Sequence, residues 1–587
     1  MKKIINFIIV ILAVSVFSSC EDFLDTQSFT QKNSETFPKT ETDADQLLTG
    51  VYAVMSQLMN QEPSASYFLV SELASDDRFG GGGGFGNDGG MQAINHLLTK
   101  SVNTFRGFWE RNYRGISRAT ATINALNVLD EGDLKNQKMG EAQVLRAYFY
   151  FELVQLLGNV PLIKGTPETV EDAMESPKQA TQEEIFQQIG TDLWNAYSIM
   201  PSTKYTGVRS GVITKWAAAG MLARVWLFYT GFYEKTSLPI NDGGEVTRAQ
   251  VIAALKDCID NSGHDLVSDF RSLWAYTNSV SKPDYPYAAD APTWIRDGSN
   301  PEQVFVVKCI GLNDWSNTGQ NNFTNQLSLY FAIRNDAAKN RYENIFPMGQ
   351  GWGIGPVSSR LWSQWQTDEP TDPRRKASIY NVEEESRGYT YGADGQMEET
   401  GLWQKKIVAI RAYGGNANIP AGTFLNSFWS SDKYESYTGD HFQVGHACDI
   451  PLMRFADILL MHSEVSGTAD GMNRVRARVG LPGVGYSLAA IQRERRYELA
   501  FEGTRWGDIR RWHIAEQALD DMYNSPIFNN GDLTAMKVQG NAGNISARYR
   551  ATKGGFFMIP QYEIDLANGG LIQNEGWGPE SILTEYK

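Results

Sequence analysis

Residues 141–157 read EAQVLRAYFYFELVQLL, and this stretch decides the fold class. Its large apolar side chains recur every three or four residues, which is the spacing of one face of an α-helix. Gly158 and Pro161 follow and predict where that helix ends. The apolar set consists of Leu145, Tyr148, Phe149, Leu153, Leu156 and Leu157.

Helical patterns continue on both sides of this stretch. Thr181 and Glu184 match a capping box, which opens a predicted helix that ends before Pro201. Residues 216–229 are apolar almost all round, as in a helix buried inside a bundle. Two further segments look similar, 108–129 and 454–465. We therefore predict a mainly α fold of stacked helix pairs, as in tetratricopeptide arrays, although no clean 34-residue repeat is visible.

Composition excludes several classes of protein. The chain has 587 residues, 42% of them hydrophobic, so it can build a large core. Its net charge of −15 argues against nucleic-acid binding, which needs a cationic surface. Beyond the N-terminus, no window of about 18 uninterrupted apolar residues predicts a membrane span.

The N-terminus predicts export and a lipid anchor. Lys2 and Lys3 precede a short apolar stretch, residues 4–17, and two serines then lead to Cys20. This pattern is typical of a lipoprotein signal peptide over residues 1–19, with Cys20 as the lipidated residue. The alternative is an ordinary cleaved signal.

Processing at Cys20 leaves three cysteines, Cys258, Cys309 and Cys448. An odd number cannot all be joined in disulfides with one another. We expect all three to be small buried apolar residues and not a redox site.

The middle of the chain, residues 265–450, is predicted to be irregular. Glycine, asparagine, proline and serine interrupt its short apolar runs, yet eight of the fifteen tryptophans lie between residues 274 and 429. Large aromatic residues in loops either pin the loops together or line a binding surface. Any single tryptophan of this region is more often a packing residue. The eight together indicate that at least one is exposed on a binding surface.

Residues 75–90 form a second irregular stretch, which is rich in glycine. It resembles a phosphate-binding loop, but no Lys-Ser or Lys-Thr follows, so nucleotide binding is not predicted. A flexible backbone here would display Asp77, Arg78, Phe85 and Asn87. Polar side chains that can form paired hydrogen bonds, next to an aromatic ring, suit a polyhydroxylated ligand. The alternative is a mobile surface loop without a ligand.

No motif for catalysis or metal binding stands out. Residues 441–449 contain two histidines, a cysteine and an aspartate, but their spacing matches no standard zinc site and favours structural packing. There is no Gly-x-Ser-x-Gly elbow, and counting carboxylates among 68 acidic residues does not identify a glycosidase pair. We predict no metal, no cofactor and no catalytic residue.

Residues 493–512 are the most highly charged stretch. Pairs at helical spacing, such as Arg495 with Glu498 and Glu498 with Glu502, predict a partly buried ion network. An anion-binding site is the alternative.

Several of these segments together resemble the SusD/RagB family of outer-membrane nutrient-binding lipoproteins. The matching segments occur in the order of the family and span nearly the whole chain. They are residues 20–25, 141–154, 158–162, 454–461, 473–478, 494–512 and 559–565, with Gln573 and Asn574.

The resemblance implies a mainly α, tetratricopeptide-like helical-pair array with an irregular loop-rich domain inserted. It divides the chain into the signal peptide (1–19), an N-terminal helical region with the glycine-rich loop (20–264), an aromatic-rich binding insert (265–450) and a C-terminal signature region (451–587). It also implies a non-catalytic protein, lipid-anchored in the outer membrane at the cell surface. Such a protein binds an oligosaccharide or polysaccharide and passes it to a TonB-dependent (SusC-like) barrel.

The pattern of the family places the ligand between the glycine-rich loop and the insert. We expect Trp294, Trp315 and Trp352 to stack on sugar rings together with Phe85. The polar contacts are expected from Asp77, Arg78 and Asn87. Two alternatives stay open: a RagB-like peptide-capturing lipoprotein, and a surface glycosidase with two carboxylates across a cleft.

Overall fold

The computed structural model describes residues 37–60, 66–163, 165, 177–207, 211–295, 299–309, 324–334, 345–386, 388–411, 448–536 and 544–585. Within these ranges the chain forms nineteen α-helices and eight short strands, so the prediction of a mainly α fold is confirmed. None of the helices in this part of the chain is long and apolar enough to cross a membrane. Cys20, Trp315, His441 and His446 lie outside the described residues.

The N-terminal half consists of eight helices. They are α1 (Glu41–Asn60), α2 (Tyr67–Ala74), α3 (Phe85–Asn95), α4 (Arg106–Leu126), α5 (Asp133–Leu157), α6 (Gln182–Ile199), α7 (Lys215–Phe232) and α8 (Arg248–Asn261). The long helices pack in series: α1 on α4, α4 on α5, α5 on α6, α6 on α7 and α7 on α8. This serial packing is the arrangement of helix pairs predicted from the sequence.

Helix α5 is buried more completely than its periodicity predicts. From Met139 to Leu157 every residue except Arg146 is buried, because α4 covers one side of the helix and α6 another. Arg146 bonds Asp192 of α6 from two nitrogens, at 2.7 and 2.8 Å. The helix ends at Gly158, whose φ of 71° favours glycine.

Short helices and the remaining array make up the rest of the chain. The middle holds α9 (Gln326–Tyr330), α10 (Ser359–Asp368), α11 (Arg374–Ser378) and α12 (Val382–Glu385). The C-terminal part holds α13 (Phe455–Ser466), α14 (Asp470–Arg478), α15 (Leu488–Glu498), α16 (Arg505–Arg511), α17 (Ala515–Asp520), α18 (Ile545–Ala551) and α19 (Gln561–Leu566). Helix α13 packs on α8 and so continues the array. The sequence missed α10, because only Leu361 and Trp365 of its ten residues are buried.

The strands form four antiparallel pairs. These are β1 (Leu238–Pro239) with β2 (Glu245–Val246), β3 (Gln303–Val307) with β6 (Ile450–Arg454), β4 (Ile379–Asn381) with β5 (Leu402–Gln404), and β7 (Pro526–Asn529) with β8 (Asp532–Ala535). The β3–β6 pair joins the middle of the chain to the start of the C-terminal helices. A single large core runs through the helical array and this pair.

A buried ion network holds the middle region against the C-terminal helices. Glu498 accepts from Arg374 at 3.0 Å, Arg454 at 2.9 Å and Arg478 at 2.6 Å. Burial would raise the pKa of Glu498, but the three guanidinium charges hold it well below its usual value. The predicted ion network is therefore confirmed, and Glu498 draws its partners from distant segments of the chain.

The partners predicted within the charged stretch are wrong. Arg495 pairs with Asp457 at 2.6 Å and with Asp508 at 2.9 Å, not with Glu498. Helix α15 ends at Glu498, so Glu502 is not on the same helix and cannot lie one turn along it. Tertiary packing therefore decides this pairing.

Candidate ligand-binding site

The first part of the glycine-rich stretch is buried in the protein. Asp76 and Asp77 follow α2, and the guanidinium of Arg496 lies 2.8 and 2.6 Å from their carboxylates. Arg505 bonds Asp76 at 2.7 Å. Burial would raise the pKa of Asp76, but the charges of Arg496 and Arg505 hold it well below its usual value. Asp77 is 2% exposed, so its expected contact with a ligand is not supported.

Arg78 is also an internal residue. Its side chain is 0% exposed, and its guanidinium lies over two phenylalanine rings, 4.2 Å from the centre of Phe331 and 4.4 Å from that of Phe501. Its nitrogens donate to Glu72 Oε2 at 2.5 Å, to the Gly355 carbonyl at 2.7 Å and to Gln404 Oε1 at 2.8 Å. The expected contact of Arg78 with a ligand is not supported, because its donors bond protein acceptors and its guanidinium lies against two phenylalanine rings.

The glycine run is clamped by neighbouring backbone and does not form a free loop. Gly82 N–H donates to the Gly353 carbonyl at 2.7 Å, and Gly355 N–H donates to the Gly80 carbonyl at 3.1 Å. A Cβ on Gly81 would lie 2.4 Å from Cδ of Pro356, and the φ of Gly81 is +68°. The glycines therefore let this segment lie directly against residues 353–356 of the middle region.

A polar surface lies where these two segments meet. Arg334 Nη1 donates to the Trp352 carbonyl at 3.1 Å and lies 3.5 Å from Asp88 Oδ2. Its Nη2 is 3.1 Å from Asp394 Oδ2, and its Nε donates to the Asp394 carbonyl at 2.9 Å. Asn87 is exposed beside Asp88. We call these five residues, Asn87, Asp88, Arg334, Trp352 and Asp394, the Arg334 junction.

The junction combines one aromatic side chain with polar groups of both signs. Trp352 is half-buried and packs against Tyr330, with ring centres 5.0 Å apart. Burial raises the pKa of Asp88, although the Gly83 N–H and Arg334 partly offset this effect. The carboxylate of Asp394 remains 60% exposed. Solvent therefore reaches part of Trp352 as well as the exposed polar groups of Asn87 and Asp394.

The remaining expected aromatic residues are distributed differently. Phe85 begins α3 three residues before Asp88 and is half-buried, with the Lys100 ammonium 4.9 Å from its ring centre. Trp294 is 6% exposed, and its indole N–H donates to the Leu273 carbonyl at 3.2 Å. Trp294 is therefore placed for packing, and its expected stacking on a sugar is not supported. Trp315 lies outside the described residues.

Sequence reasoning missed Arg334 and Asp394. Neither belongs to a motif, and each reaches the glycine-rich stretch only through tertiary folding. In the described part of the chain, no group of three or more His, Cys, Asp or Glu residues could hold a metal ion.

Two family models match this chain. The SusD family model matches residues 300–577, and a SusD-like model described as starch-binding associating with outer membrane matches residues 22–227. The chain belongs to the SusD/RagB family. All five residues of the Arg334 junction lie within the matched ranges: Asn87 and Asp88 in 22–227, and Arg334, Trp352 and Asp394 in 300–577.

Individual SusD-like proteins extend this result. A SusD-like protein P2 of Formosa agariphila is 24% identical over 547 residues, which cover 88% of this chain and 92% of the relative. A SusD-like protein of Bacteroides ovatus is 23% identical over 438 residues, 72% of this chain and 68% of the relative.

Solved SusD structures share the architecture. A laminarin binding SusD-like protein superposes with a TM-score of 0.68 at 24% identity, covering 92% of this chain and 100% of the other. Surface glycan-binding protein A from Bacteroides thetaiotaomicron, in complex with laminarihexaose, gives a TM-score of 0.64 at 18% identity, with the same coverage. At these identities the likeness establishes the SusD fold.

Proposed function

We propose that this SusD-family protein binds an oligosaccharide or polysaccharide at the cell surface and delivers it to a TonB-dependent outer-membrane transporter without chemical change. The observation that carries the proposal is the Arg334 junction, where the half-buried Trp352 adjoins exposed and partly exposed polar groups. The family model that covers residues 22–227 is described as starch-binding and outer-membrane associated. Two proteins of the same fold carry laminarin or laminarihexaose in their names.

The physical basis is a division of the ligand into two kinds of surface. One face of a pyranose ring carries C–H groups, which leave water favourably when they cover an indole. The hydroxyl groups at the ring edge need donors and acceptors, which Asn87, Asp88 and Asp394 supply. Arg334 fixes the positions of Trp352 and of the two aspartates, because it bonds the Trp352 backbone and lies beside Asp88 and Asp394.

The lipid anchor at Cys20 and the barrel partner belong to the same proposal. Buried acyl methylenes contribute about 0.8 kcal/mol each, so several acyl chains hold a protein stably at a membrane. A surface lipoprotein that releases an intact glycan needs a transporter to take it up. We propose a SusC-like barrel for that role.

The test is affinity measured by electrophoresis in gels containing polysaccharide, with Trp352→Ala compared with Trp194→Ala. Covering roughly 80 Å² of apolar sugar surface at about 25 cal/mol per Å² is worth about 2 kcal/mol, or a factor of about 30 in affinity. Trp352→Ala should lose that factor. Trp194 is also half-buried, but it lies on α6 and packs beside Tyr197, so its replacement should leave binding unchanged.

Two results would contradict the proposal. Equal retardation of the two variants by the glycan that retards the wild type would remove Trp352 from the site. New reducing ends released from that glycan by the pure protein would favour a glycosidase.

A further inference from the structure

Cys309 and Cys448 each lie two residues beyond the last paired residues of β3 and β6. These strands are antiparallel, with Val306 opposite Pro451 and Val307 opposite Ile450. Continuing the same register by two residues places Lys308 opposite Asp449 and then Cys309 opposite Cys448. The sequence separation of 139 residues hides this relationship until the strands are paired.

Contacts beyond the strand ends show that the two chain segments stay together. Lys308 forms an ion pair with Asp449, which the continued register places directly opposite it. The Cys309 N–H donates to Asp449 Oδ1 at 3.2 Å, and Asn325 donates to the Cys448 carbonyl at 2.9 Å. The paired strands end at Val307 and Ile450, and the two contacts of Asp449 keep Lys308 and Cys309 beside the residue that precedes Ile450.

The extended register also assigns both cysteines to one face. Side chains alternate along a strand, so Cys309 shares the face of Val307 and Cys448 shares that of Ile450. Val307 and Ile450 are both buried, Cys309 is buried and Cys448 is half-buried. Both cysteines pack against the main hydrophobic core.

The spacing of such a pair suits a disulfide. Directly opposed residues of antiparallel strands have Cα atoms about 4.5–5.5 Å apart, and disulfides span Cα separations of about 4.4–6.8 Å. Cβ atoms on one face start about 4.5–5.5 Å apart, so bonding needs only a small approach toward the usual 3.5–4.5 Å.

We infer that Cys309 and Cys448, which carry thiols in this structure, form a cross-strand disulfide in the exported protein. The inference rests on the strand register and is independent of the ligand. A disulfide oxidant takes the two electrons: one thiolate attacks it to give a mixed disulfide, and the second thiolate then displaces the remaining thiol. The S–S bond forms as the oxidant becomes two thiols. Exported proteins meet oxidants of this class.

Cys258 is the cysteine left over. It is 0% exposed on α8, and burial raises the pKa of its thiol to about 12. A thiol that stays protonated inside a helix is a poor nucleophile, so Cys258 remains reduced. The odd number of cysteines in the processed chain is thereby explained.

The bond would tie the middle region to the C-terminal helices. It closes the chain from residue 309 to residue 448, and a loop of this length loses much conformational entropy in the unfolded state. For a chain of this size, reduction should lower the Tm by about 4 °C.

The experiment is a peptide map of the full chain after equilibration with oxidised glutathione and alkylation. Trypsin cuts after Lys308, Arg334, Lys433 and Arg454, so the disulfide links peptide 309–334 to peptide 434–454. Mass spectrometry without reduction should find that linked pair in the wild type and in Cys258→Ser. In Cys309→Ser the pair should disappear, and dithiothreitol should no longer lower the Tm.

Two outcomes would overturn the inference. One is the recovery of 309–334 and 434–454 as separate alkylated peptides from folded, oxidised wild type, with a Tm that dithiothreitol does not change. The other is a link from Cys258 to either peptide.

Discussion

Replacing Arg78 by Met tests whether this residue belongs to the fold or to the ligand site. The guanidinium bonds Glu72, a backbone carbonyl and Gln404, and it is 0% exposed. Arg78→Met keeps most of the side-chain volume but leaves Glu72 buried without its partner. Breaking a buried ion pair in this way costs about 3–5 kcal/mol.

The matched control is Arg106→Met. Arg106 also combines an ion pair, with Glu110 at 2.7 Å, and a stacked ring, with Tyr562 at 3.7 Å, but it lies at the surface. Its replacement should therefore change stability far less.

Urea denaturation of both variants, followed by circular dichroism at neutral pH, gives the comparison. We expect a midpoint for Arg78→Met well below that of the wild type, at an unchanged slope, and a midpoint for Arg106→Met close to it. A wild-type midpoint for Arg78→Met, together with lost glycan affinity, would refute the structural role and return Arg78 to the ligand site.

Three further predictions follow from packing and burial. Gly81→Ala should lower the Tm and weaken glycan binding, because its Cβ meets backbone, whereas Gly84→Ala has open space and should change neither. Trp294→Ala should cost about 3–5 kcal/mol in unfolding free energy and leave the intrinsic glycan affinity of the folded protein unchanged; weakened binding at full folding would contradict its packing role. Burial raises the pKa of Glu152 to about 8 in the folded protein. As the pH rises, Glu152 therefore loses its proton at a lower pH in the unfolded state than in the folded state. Stability should therefore fall from about pH 5 to pH 8, and Glu152→Gln should flatten that decline in a series of Tm measurements.

Local signals in the sequence predicted the helical array correctly. The three- and four-residue spacing in residues 141–157 marks α5, and the capping box at Thr181 is present as predicted, with its hydroxyl accepting from Glu184 N–H. Both features depend on residues within a few positions of one another. Local sequence therefore indicates where these features form, and tertiary packing stabilises them.

The site was less predictable, because its residues acquire their roles from distant partners. Asp77 and Arg78 look like ligand contacts in a polar loop, yet Arg496 and Glu72 engage them inside the fold. The glycines suggested flexibility, but they serve close packing of backbone. Arg334 has no sequence signal, since only the folded chain brings it to the glycine-rich stretch.

The proposed function requires that this protein binds a glycan and leaves it intact. Its most direct test is affinity electrophoresis of the wild type against a panel of neutral and anionic polysaccharides, with reducing ends assayed on the same samples. We expect retardation by at least one polysaccharide and no release of reducing ends. The absence of retardation across the panel, with measurable binding of peptides instead, would contradict the claim, as would cleavage of the bound polysaccharide.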